Sequence, residues 1–455
     1  MKLWNFLKSQ MMHYSDQLIC EEDAKMTYED FIVWAEQFSL RLKNLHSCAI
    51  FCNSEMMAAV ALLSCFAANV TAVPLSSRYG TQHCMKILNT ISPEAIISDS
   101  SGELEVIYIT GNTYEPQEQK PALIMCTSGT TGLPKGAMLS ETNIMTNVMD
   151  VADYFSIDSN DTIFITRPLY HCAVLTGEFL TALVKGCKIQ FYSGNFNPPQ
   201  IAKMLKKFGI TVFGGTPTLL SMMARFIRTP EELPLKRICI SGECMDTSTG
   251  LYIAEVFKKC EIYHVYGLTE ACPRVCYLPP ELFSTYPDCV GIPLKSVSIQ
   301  LRKENDKICA IGEEGVLWVK GNNVMLGYYH EPQKTKEVLK KGWLCTGDVG
   351  VINEVGLLRI KGRNDDLIIK AGMNIYPAEI ESALKTDARV KEVLAYGFEN
   401  KFGVQIGLKI VGDFQSTEEV KTLCVKRLPS FQVPNYIEIL EELPKNGSGK
   451  ILRKV

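Results

Sequence analysis

Short apolar runs alternate with helical patterns from about residue 49 to about residue 290 of the chain. Strands that alternate with helices in this way are typical of layered α/β units with largely parallel sheets. We therefore expect a large N-terminal region of α/β layers. The runs predicted as strands are Ala49–Cys52, Thr71–Leu75, Ala95–Ser98, Leu123–Cys126, Thr211–Phe213, Arg237–Ile240 and Glu261–Val265.

The pattern then changes to short strands with turn signals, which predicts a smaller β-rich subdomain within the N-terminal domain. The last part of the chain mixes strand-like and helix-like segments, which predicts a small, mobile α+β domain. The polar break Gly362–Asp366 is the predicted linker, giving an N-terminal domain at 1–362 and a C-terminal domain at 363–455. The segments behind these predictions are strands Val297–Arg302, Gly315–Val319, Val349–Asn353, Glu392–Tyr396 and Gln405–Ile410, and helix Ala378–Leu384.

Two apolar segments could be mistaken for membrane or export signals. Met56–Ala68 is shorter than the ~20 residues needed to cross a bilayer, so we predict a core helix that Ser54 caps. Met1–Tyr14 lacks an unbroken apolar core and a small-residue cleavage site, unlike a signal peptide. The polar stretch Ser100–Lys120 is predicted as a surface connection. We expect a cytoplasmic protein without a membrane span.

Charge and cysteine usage narrow the function. The net charge of −3 gives no basic field for a nucleic-acid partner. The 17 cysteines, without an export signal, indicate reduced and mostly buried thiols. The six histidines are scattered without the spacing of a zinc site.

The segment Thr127-Ser-Gly-Thr-Thr-Gly-Leu-Pro-Lys-Gly136 carries the clearest chemical signal. Its glycines let backbone amides approach an anion, and its hydroxyls and Lys135 add donors. It follows an apolar run and precedes a helical pattern that Ser140 can cap. It is not a P-loop, because no Gly-Lys-Ser/Thr opens the helix at the required spacing. We expect a polyphosphate to bind there; the alternative is a flexible Gly/Thr turn.

Four further side chains suit a bound nucleotide. Tyr266 offers a flat ring on which a purine can stack, and Glu270 offers the hard oxygens that Mg²⁺ prefers. Asp348 can accept hydrogen bonds from two ribose hydroxyls, and the guanidinium fork of Arg363 favours anionic oxygens. The simpler alternatives are a core tyrosine, a surface carboxylate and a turn aspartate.

Taken together, these segments resemble the superfamily of acyl-CoA synthetases, peptide-synthetase adenylation domains and luciferases. The loop matches its phosphate-binding signature, and four more segments match it in order, within a resemblance that extends from about Gln17 to the last residue. The four are Tyr266-Gly-Leu-Thr-Glu270, Gly342-Trp-Leu-Cys-Thr-Gly-Asp348, Gly362-Arg-Asn-Asp-Asp366 with Gly372 and Pro377-Ala-Glu-Ile-Glu381, and Pro444-Lys-Asn-Gly-Ser-Gly-Lys450. The resemblance implies an enzyme that joins a carboxylic acid to AMP and passes the acyl group to a thiol.

The resemblance also implies roles for individual residues. Lys450 would hold the acid's carboxylate oxygen and ATP, Thr269 would contact phosphates, and Glu270 would hold Mg²⁺. Asp365 matches the hinge and Gly372 the glycine beside the tunnel for the thiol, which belongs to CoA or to a carrier's phosphopantetheine. The positions implied for ATP or AMP are Thr127, Ser128, Gly129, Thr130, Thr131, Lys135, Gly242, Glu243, Tyr266, Gly267, Asp348 and Arg363.

The implied acid pocket is mostly apolar. His171 matches a histidine found in many acyl- and aryl-CoA synthetases, and Arg167–Cys172 lacks the aspartate usual in amino-acid-activating domains. Gly242-Glu243 points the other way, because it resembles a pair common in those domains. We expect an acid without an α-amino group. The pocket positions are His171, Cys172, Ala173, Thr176, Gly215, Leu268 and Ala271, with Gly242 at the border with the nucleotide.

Two alternatives stay open from the sequence. The first is a stand-alone adenylating enzyme that loads an acyl or amino acid onto a carrier protein, which nothing in the sequence separates from CoA ligation. The second is a non-catalytic nucleotide sensor, which Lys450 and Glu270 argue against because a sensor needs no adenylation lysine.

Overall fold

The computed structural model describes residues 2–76, 81–112, 117–128, 134–192, 194, 197–370, 373–400, 403–444 and 451. The strands are β1 Leu18–Glu21, β2 Ala24–Thr27, β3 Ser47–Phe51, β4 Thr71–Pro74, β5 Ala95–Ser98, β6 Glu105–Tyr108, β7 Leu123–Ser128, β8 Pro134–Leu139, β9 Thr162–Ile165, β10 Lys188–Phe191, β11 Val212–Gly215, β12 Arg237–Ile240, β13 Glu261–Gly267, β14 Arg274–Leu278, β15 Ile292–Pro293, β16 Val297–Arg302, β17 Glu314–Gly321, β18 Gly327–Tyr328, β19 Leu339–Lys340, β20 Trp343–Ile352, β21 Leu358–Arg363, β22 Ile368–Lys370, β23 Met373–Ile375, β24 Val390–Asn400, β25 Gly403–Gly412 and β26 Tyr436–Ile439.

Helices fill most of the connections between these strands. The α-helices are α1 Leu3–Met11, α2 Tyr28–Ser39, α3 Glu55–Ala68, α4 Thr81–Ile91, α5 Glu141–Tyr154, α6 Cys172–Val174, α7 Thr181–Lys185, α8 Pro198–Lys207, α9 Pro217–Ala224, α10 Thr247–Val256, α11 Pro332–Val338, α12 Pro377–Lys385 and α13 Thr417–Arg427. A π-helix, Leu175–Leu180, joins α6 to α7.

Two large sheets form most of the N-terminal part, as the alternating pattern predicts. The first has nine strands in the order β15-β14-β13-β12-β11-β9-β10-β1-β2, and its middle strands from β13 to β1 are parallel. The second has seven strands in the order β18-β8-β7-β4-β3-β5-β6. One hydrophobic core joins both sheets and includes Leu3, Phe31, Leu62 and Val148, from four different helices. Ligands of such sheets bind beyond the carboxyl ends of the parallel strands.

The remaining strands form separate smaller sheets. A five-stranded antiparallel sheet, β16-β17-β20-β19 with β21 beside β20, confirms the predicted β-rich subdomain. Near the C-terminus, β24, β25 and β26 form a three-stranded sheet, and β22 pairs with β23. Helices α12 and α13 pack on these strands around a core of their own. The mixed α/β fold with a large N-terminal and a smaller C-terminal part is thus confirmed.

Side-chain caps explain where several helices begin. The Ser54 hydroxyl accepts from the backbone N–H of Met57 at 3.1 Å, which confirms the predicted cap. Ser140 and Asn143 form a reciprocal capping box that opens α5. The predicted core helix Met56–Ala68 is α3, whose side chains are buried over most of its length. In the described part of the chain, no helix is long and apolar enough to cross a membrane. All 17 cysteines are free and most are buried.

One local prediction was wrong. The stretch Ser100–Lys120 is not only a connection, because β6 pairs with β5 within it. As an edge strand with Tyr108 65% exposed, β6 has too few buried residues to stand out in the sequence. The predicted order of the glycine-rich loop and a helix capped by Ser140 is confirmed by α5, and a strand lies between the two. The intervening strand β8 begins with Pro134 and contains Gly136, residues more typical of loops.

Candidate functional site

The glycine-rich loop closes a β-hairpin. Its flanking strands β7 and β8 pair antiparallel, with Thr127 opposite Lys135. The Lys135 ammonium lies 5.3 Å from the centroid of the Tyr328 ring, within the range of a cation–π contact. Gly129, Thr130 and Thr131 lie outside the described residues, and so does the side chain of Ser128. The structure therefore fixes the base of the predicted phosphate loop and one of its charges.

Glu270 lies where the two large sheets approach each other. It follows β13 in the short 3₁₀ turn Thr269–Ala271. The Tyr328 hydroxyl donates to Glu270 Oε1 at 2.8 Å, and the Glu270 carbonyl accepts from Met325 N–H at 2.9 Å. Burial and the Glu270 carboxylate raise the pKa of Tyr328 above its ordinary value, so the phenol stays a donor. Tyr328 thus joins Glu270 to Lys135.

The Glu270 carboxylate fits the predicted role of a Mg²⁺ ligand. Among the described residues, only Tyr328 donates a hydrogen bond to this carboxylate, through Oε1. A partly exposed carboxylate oxygen beside a lysine-bearing hairpin is a ligand that Mg²⁺ takes together with substrate phosphates.

Tyr266, Asp348 and Arg363, which we call the nucleotide end, converge from three strands. The Tyr266 hydroxyl donates to Asp348 Oδ2, and Arg363 Nη1 donates to Asp348 Oδ1 at 3.1 Å. Arg363 Nη1 also donates to the Thr346 carbonyl at 3.0 Å. Burial, then the nearby Asp348 charge, raise the pKa of Tyr266 well above its ordinary value, so it stays protonated. The sequence predicted these three residues separately, and the structure brings them together.

Gly347 explains the Thr-Gly-Asp sequence at this point. Its φ of +73° lies in the left-handed region, and a β-carbon there would stand 3.0 Å from Arg363 Nη2. Thr346 uses its hydroxyl to accept from the Asp348 N–H at 3.0 Å. The backbone around Asp348 is therefore shaped to present its carboxylate to Arg363.

Glu243 has a structural partner. Its Oε2 accepts from the Thr218 hydroxyl at 2.6 Å and from the Thr218 N–H at 3.3 Å, at the start of α9. A carboxylate at a helix N-terminus is favourable. The preceding Gly242 has a φ of +96°, so it also turns the chain. The Gly-Glu pair therefore has a role in the fold that requires no substrate amine.

The predicted acid-pocket residues lie at the carboxyl ends of the central strands, and we call this region the acid end. Its residues are His171, Cys172, Ala173, Thr176, Gly215, Leu268 and Ala271. His171 precedes α6, and its ring centroid lies 4.2 Å from that of Tyr170.

Thr176 is fully buried, and its hydroxyl donates to the Cys172 carbonyl at 3.0 Å and the Cys272 carbonyl at 3.1 Å. Thr176 therefore ties the π-helix to the segment after Glu270. Ala271 is fully buried as well, Gly215 ends β11, and Leu268 is partly buried at the end of β13.

Sequence reasoning missed a group of buried charges beside the acid end. Arg167 forms an ion pair with Glu178, and Arg274 lies nearby at 1% exposure. Their separation along the chain follows no catalytic spacing. The available signal was a charged residue inside an otherwise apolar segment, Leu175–Leu180 for Glu178 and Pro273–Leu278 for Arg274.

The predicted hinge lies in a short 3₁₀ turn. Asp365 is exposed within Asn364–Asp366, directly after β21, which itself contains Gly362 and Arg363. Across this turn, Tyr376 donates to Glu314 Oε2 at 3.0 Å. Gly372 and Lys450 lie outside the described residues.

Comparison with known proteins identifies the family. Residues 7–329 match the model of the AMP-binding enzymes, and residues 379–450 match the model of the AMP-binding enzyme C-terminal domain. A long-chain-fatty-acid–CoA ligase of Haemophilus influenzae is 34% identical, over 73% of this chain and 61% of that protein. A 2-succinylbenzoate–CoA ligase of Bacillus licheniformis is 28% identical, over 99% of this chain and 98% of that protein.

Solved structures agree with this relationship. O-succinylbenzoate coenzyme A synthetase from Bacillus subtilis, in complex with its acyl-adenylate intermediate, superposes with a TM-score of 0.87 at 26% identity, covering 99% of this chain and 97% of that one. Against the first two long-chain ligases, the alignment spans only 61% and 60% of their length. With both domain models matched in order over most of its length, the chain belongs to the family of AMP-binding enzymes.

Proposed function

We propose that this protein is an AMP-forming acid–thiol ligase that activates a carboxylic acid with ATP and transfers the acyl group to CoA. The observation that carries the proposal is the convergence of two groups. The nucleotide end presents a carboxylate clamped by Tyr266 and Arg363, and the Glu270–Tyr328–Lys135 group stands at the base of the glycine-rich loop. One group suits a ribose and the other suits a metal-bound polyphosphate.

Asp348 would hold the ribose. A carboxylate offers about four acceptor sites, so ribose hydroxyls can donate to Asp348 alongside the bonds from Tyr266 and Arg363. The two existing bonds fix its orientation before the nucleotide arrives. Such preorganisation reduces the entropy lost on binding.

The first half-reaction brings an anion to a polyanion. An oxygen of the acid attacks the α-phosphorus, the bond from that phosphorus to the bridging oxygen breaks, and pyrophosphate leaves. Lys135 and the loop amides would offset the charge that gathers on phosphorus, and Lys450 would hold the attacking carboxylate. Bound at Glu270, Mg²⁺ would neutralise part of the phosphate charge.

The second half-reaction transfers the acyl group. The sulfur of the thiol attacks the acyl carbonyl carbon, the bond to the AMP oxygen breaks, and the thiol proton is released. We propose that the C-terminal domain, residues 363–455, rotates about Asp365 between the half-reactions and that Gly372 then lines the entrance for the thiol. CoA is favoured over a carrier protein because the two relatives named above are CoA ligases.

The acid is proposed to lack an α-amino group. Glu243 already serves the start of α9, and Glu178 is paired with Arg167. The charge of each carboxylate is therefore already engaged within the protein, at a helix N-terminus or by an arginine, and neither charge is left to pair with a substrate ammonium.

The test is ATP–pyrophosphate exchange against a panel of aliphatic, aryl and amino acids, followed by thioester formation with CoA. Exchange with aliphatic or aryl acids and a CoA thioester product are expected. Exchange with amino acids alone would contradict the proposed acid class, and exchange without a CoA thioester would favour carrier loading. The absence of exchange with every acid would support a nucleotide sensor.

A further inference from the structure

Three ionisable side chains, two of them buried, lie next to the acid end. Arg274 is 1% exposed and Glu178 is 2% exposed, while Arg167 is partly buried and pairs with Glu178 Oε1. All three lie at the carboxyl-end half of the first sheet. This is the side from which ligands reach such a sheet.

The register of the strands shows that the three side chains share one face. Gly214 of β11 is paired with Cys239 of β12, so the two point to the same face. Glu178 Oε1 lies 2.5 Å from where a β-carbon of Gly214 would stand, and Arg274 Nη2 lies 3.6 Å from Cys239 Sγ. Glu178 and Arg274 are therefore about one strand spacing apart, roughly 5 Å.

This face continues upward into the acid end. Ser241 lies two residues beyond Cys239, hence on the same face, and Gly242 follows it. Gly177, beside Thr176 in the π-helix, has its β-carbon position 3.0 Å from Arg274 Nε. A longer side chain at Gly177 would displace the guanidinium. The charged group is thus continuous with the proposed acid pocket rather than part of a distant core.

The charges of this group do not cancel. Two arginines face one glutamate, and Arg274 has no ion pair among the described residues. Burial raises the pKa of the Cys239 thiol, against the opposite effect of Arg274, so the thiol is neutral at pH 7. Burial likewise raises the pKa of the neighbouring Tyr154 phenol. One positive charge therefore remains buried and uncompensated, which destabilises the folded protein unless a negative charge pairs with it.

The hydrogen-bonding groups also show a surplus of donors. Two groups that can only donate and one that can only accept have no partner among the described residues, alongside three hydroxyls that can do either. They are Arg167 Nε and Arg274 Nε, Glu178 Oε2, and the hydroxyls of Tyr154, Thr166 and Ser241. An added group with two acceptor oxygens and a negative charge would satisfy this set best.

We propose that the acid activated by this enzyme is a dicarboxylic acid, and that Arg274 binds the carboxylate that does not react. The inference rests on the proposed ligase function and specifies its substrate class. The reacting carboxylate lies toward ATP at the edge of the sheet, while the distal carboxylate reaches the face shared by Arg274, Arg167 and Ser241. Arg274 is thereby the residue that determines specificity.

The test compares acids of equal length with one or two carboxylates. Wild-type enzyme is assayed by ATP–pyrophosphate exchange with butanoate and butanedioate, octanoate and octanedioate, and dodecanoate and dodecanedioate. In the chain length that fits, kcat/KM for the dicarboxylate should exceed that for the monocarboxylate by roughly 10- to 100-fold. This comparison needs no variant, so it does not depend on whether a substituted protein folds.

Two variants then assign the preference to Arg274. Arg274→Leu should lower kcat/KM for the dicarboxylate by the same factor and leave or improve that for the monocarboxylate. The change should appear mainly in KM, because the distal contact is made equally in the ground and transition states. Arg274→Lys should retain part of the preference.

The control is Arg237→Leu. Arg237 is on β12 but pairs with Asp161 at 3.0 Å and Glu261 at 2.9 Å, so its charge is already compensated. Its loss should lower stability and leave the ratio of the two substrate classes unchanged.

Three outcomes would contradict the inference or part of it. Equal or greater wild-type kcat/KM for the monocarboxylate at every length overturns the inference while leaving the ligase function intact. A dicarboxylate preference that survives Arg274→Leu overturns the role of Arg274. If no acid supports exchange, the proposed function fails, and the inference fails with it.

Discussion

The nucleotide end and the acid end use arginine in opposite ways. The side chain of Arg363 is 47% exposed and donates to the carboxylate of Asp348. Arg274 is 1% exposed, donates to the Cys239 sulfur at 3.6 Å, lies beside the Tyr154 phenol and has no ion pair among the described residues. An exposed, paired guanidinium costs little to keep, whereas a buried one without a partner costs several kcal/mol.

The partners of these two arginines show which end is complete without its ligand. Every member of the Tyr266–Asp348–Arg363 group has a partner within the group, so the nucleotide end is preformed. The acid end holds donors that the described residues do not satisfy. Under the proposed function, the group that would bind the nucleotide is built in advance, and the group that would select the acid is left for the acid to satisfy.

The largest expected effect comes from breaking the ion pair at the acid end. Glu178→Gln leaves two arginines without a carboxylate in a buried group, which should lower the free energy of unfolding by about 3–5 kcal/mol. The measurement is urea unfolding followed by fluorescence of Trp4, Trp34, Trp318 and Trp343.

Glu313→Gln is the control for this substitution, because Glu313 pairs with Lys303 at 2.7 Å on the surface. That variant should unfold at the wild-type urea concentration. If Glu178→Gln did so too, the buried charges would be compensated by other means and the contrast between the two ends would disappear.

The second effect concerns Lys450, which the family resemblance implies as the residue that holds the acid's carboxylate oxygen and ATP. Lys450→Ala should slow adenylate formation roughly 10²–10³-fold, about 3–4 kcal/mol, because one charged contact to the transition state is lost. Thioester formation from supplied acyl-adenylate should be nearly unchanged. Adenylate formation at the wild-type rate would show that the C-terminal loop takes no part in the first half-reaction.

How far the sequence predicts the structure differs between the two ends. Tyr266, Glu270, Asp348 and Arg363 each stand in a short motif, because nucleotide chemistry needs turns and glycines next to the functional side chain. Gly347, with its positive φ beside Arg363, is an example. The layered sheets were predictable for a similar reason, since burial imposes a period on the sequence.

The charged group at the acid end has no such local signature. Arg167, Glu178 and Arg274 meet only because a π-helix crosses the ends of β9, β11 and β14, and the sequence does not specify that crossing. The partners of Glu243 and Tyr328 were equally unpredictable, because their bonds join elements distant along the chain. The exposed edge strand β6 was missed for the opposite reason, since little of it is buried.

The third substitution tests whether the nucleotide end contributes to the binding of ATP and not to the binding of the acid. Asp348→Asn keeps the shape and removes the charge that Arg363 and Tyr266 share, so kcat/KM for ATP should fall roughly 10- to 100-fold. The KM for the acid should stay unchanged. Steady-state kinetics with each substrate varied in turn provides the measurement.

Asp413→Asn is the matched control, because this carboxylate pairs with Lys391 on the surface at 2.7 Å. It should leave both KM values alone. A change in the acid KM with an unaltered ATP KM would place Asp348 at the wrong end of the site.

The smallest effect concerns the contact between the N-terminal and C-terminal parts of the chain at Tyr376 and Glu314. Tyr376→Phe removes one hydrogen bond, the 3.0 Å bond to Glu314, while the Lys361–Glu379 pair at 2.7 Å remains. Because the Glu314 carboxylate is exposed to water, this bond should contribute no more than an ordinary hydrogen bond, about 0.5–1.5 kcal/mol, and the equilibrium between domain orientations should shift roughly 2- to 10-fold. If rotation about Asp365 separates the half-reactions, the one served by the observed orientation should slow and the other should quicken. Measuring pyrophosphate exchange and thioester formation from supplied acyl-adenylate on one preparation gives both rates.

The control is Tyr436→Phe, in an exposed tyrosine of the same C-terminal region, which should change neither rate. Parallel changes in both half-reactions would show that Tyr376 acts on the shared nucleotide end, and rotation would then have no support from this contact.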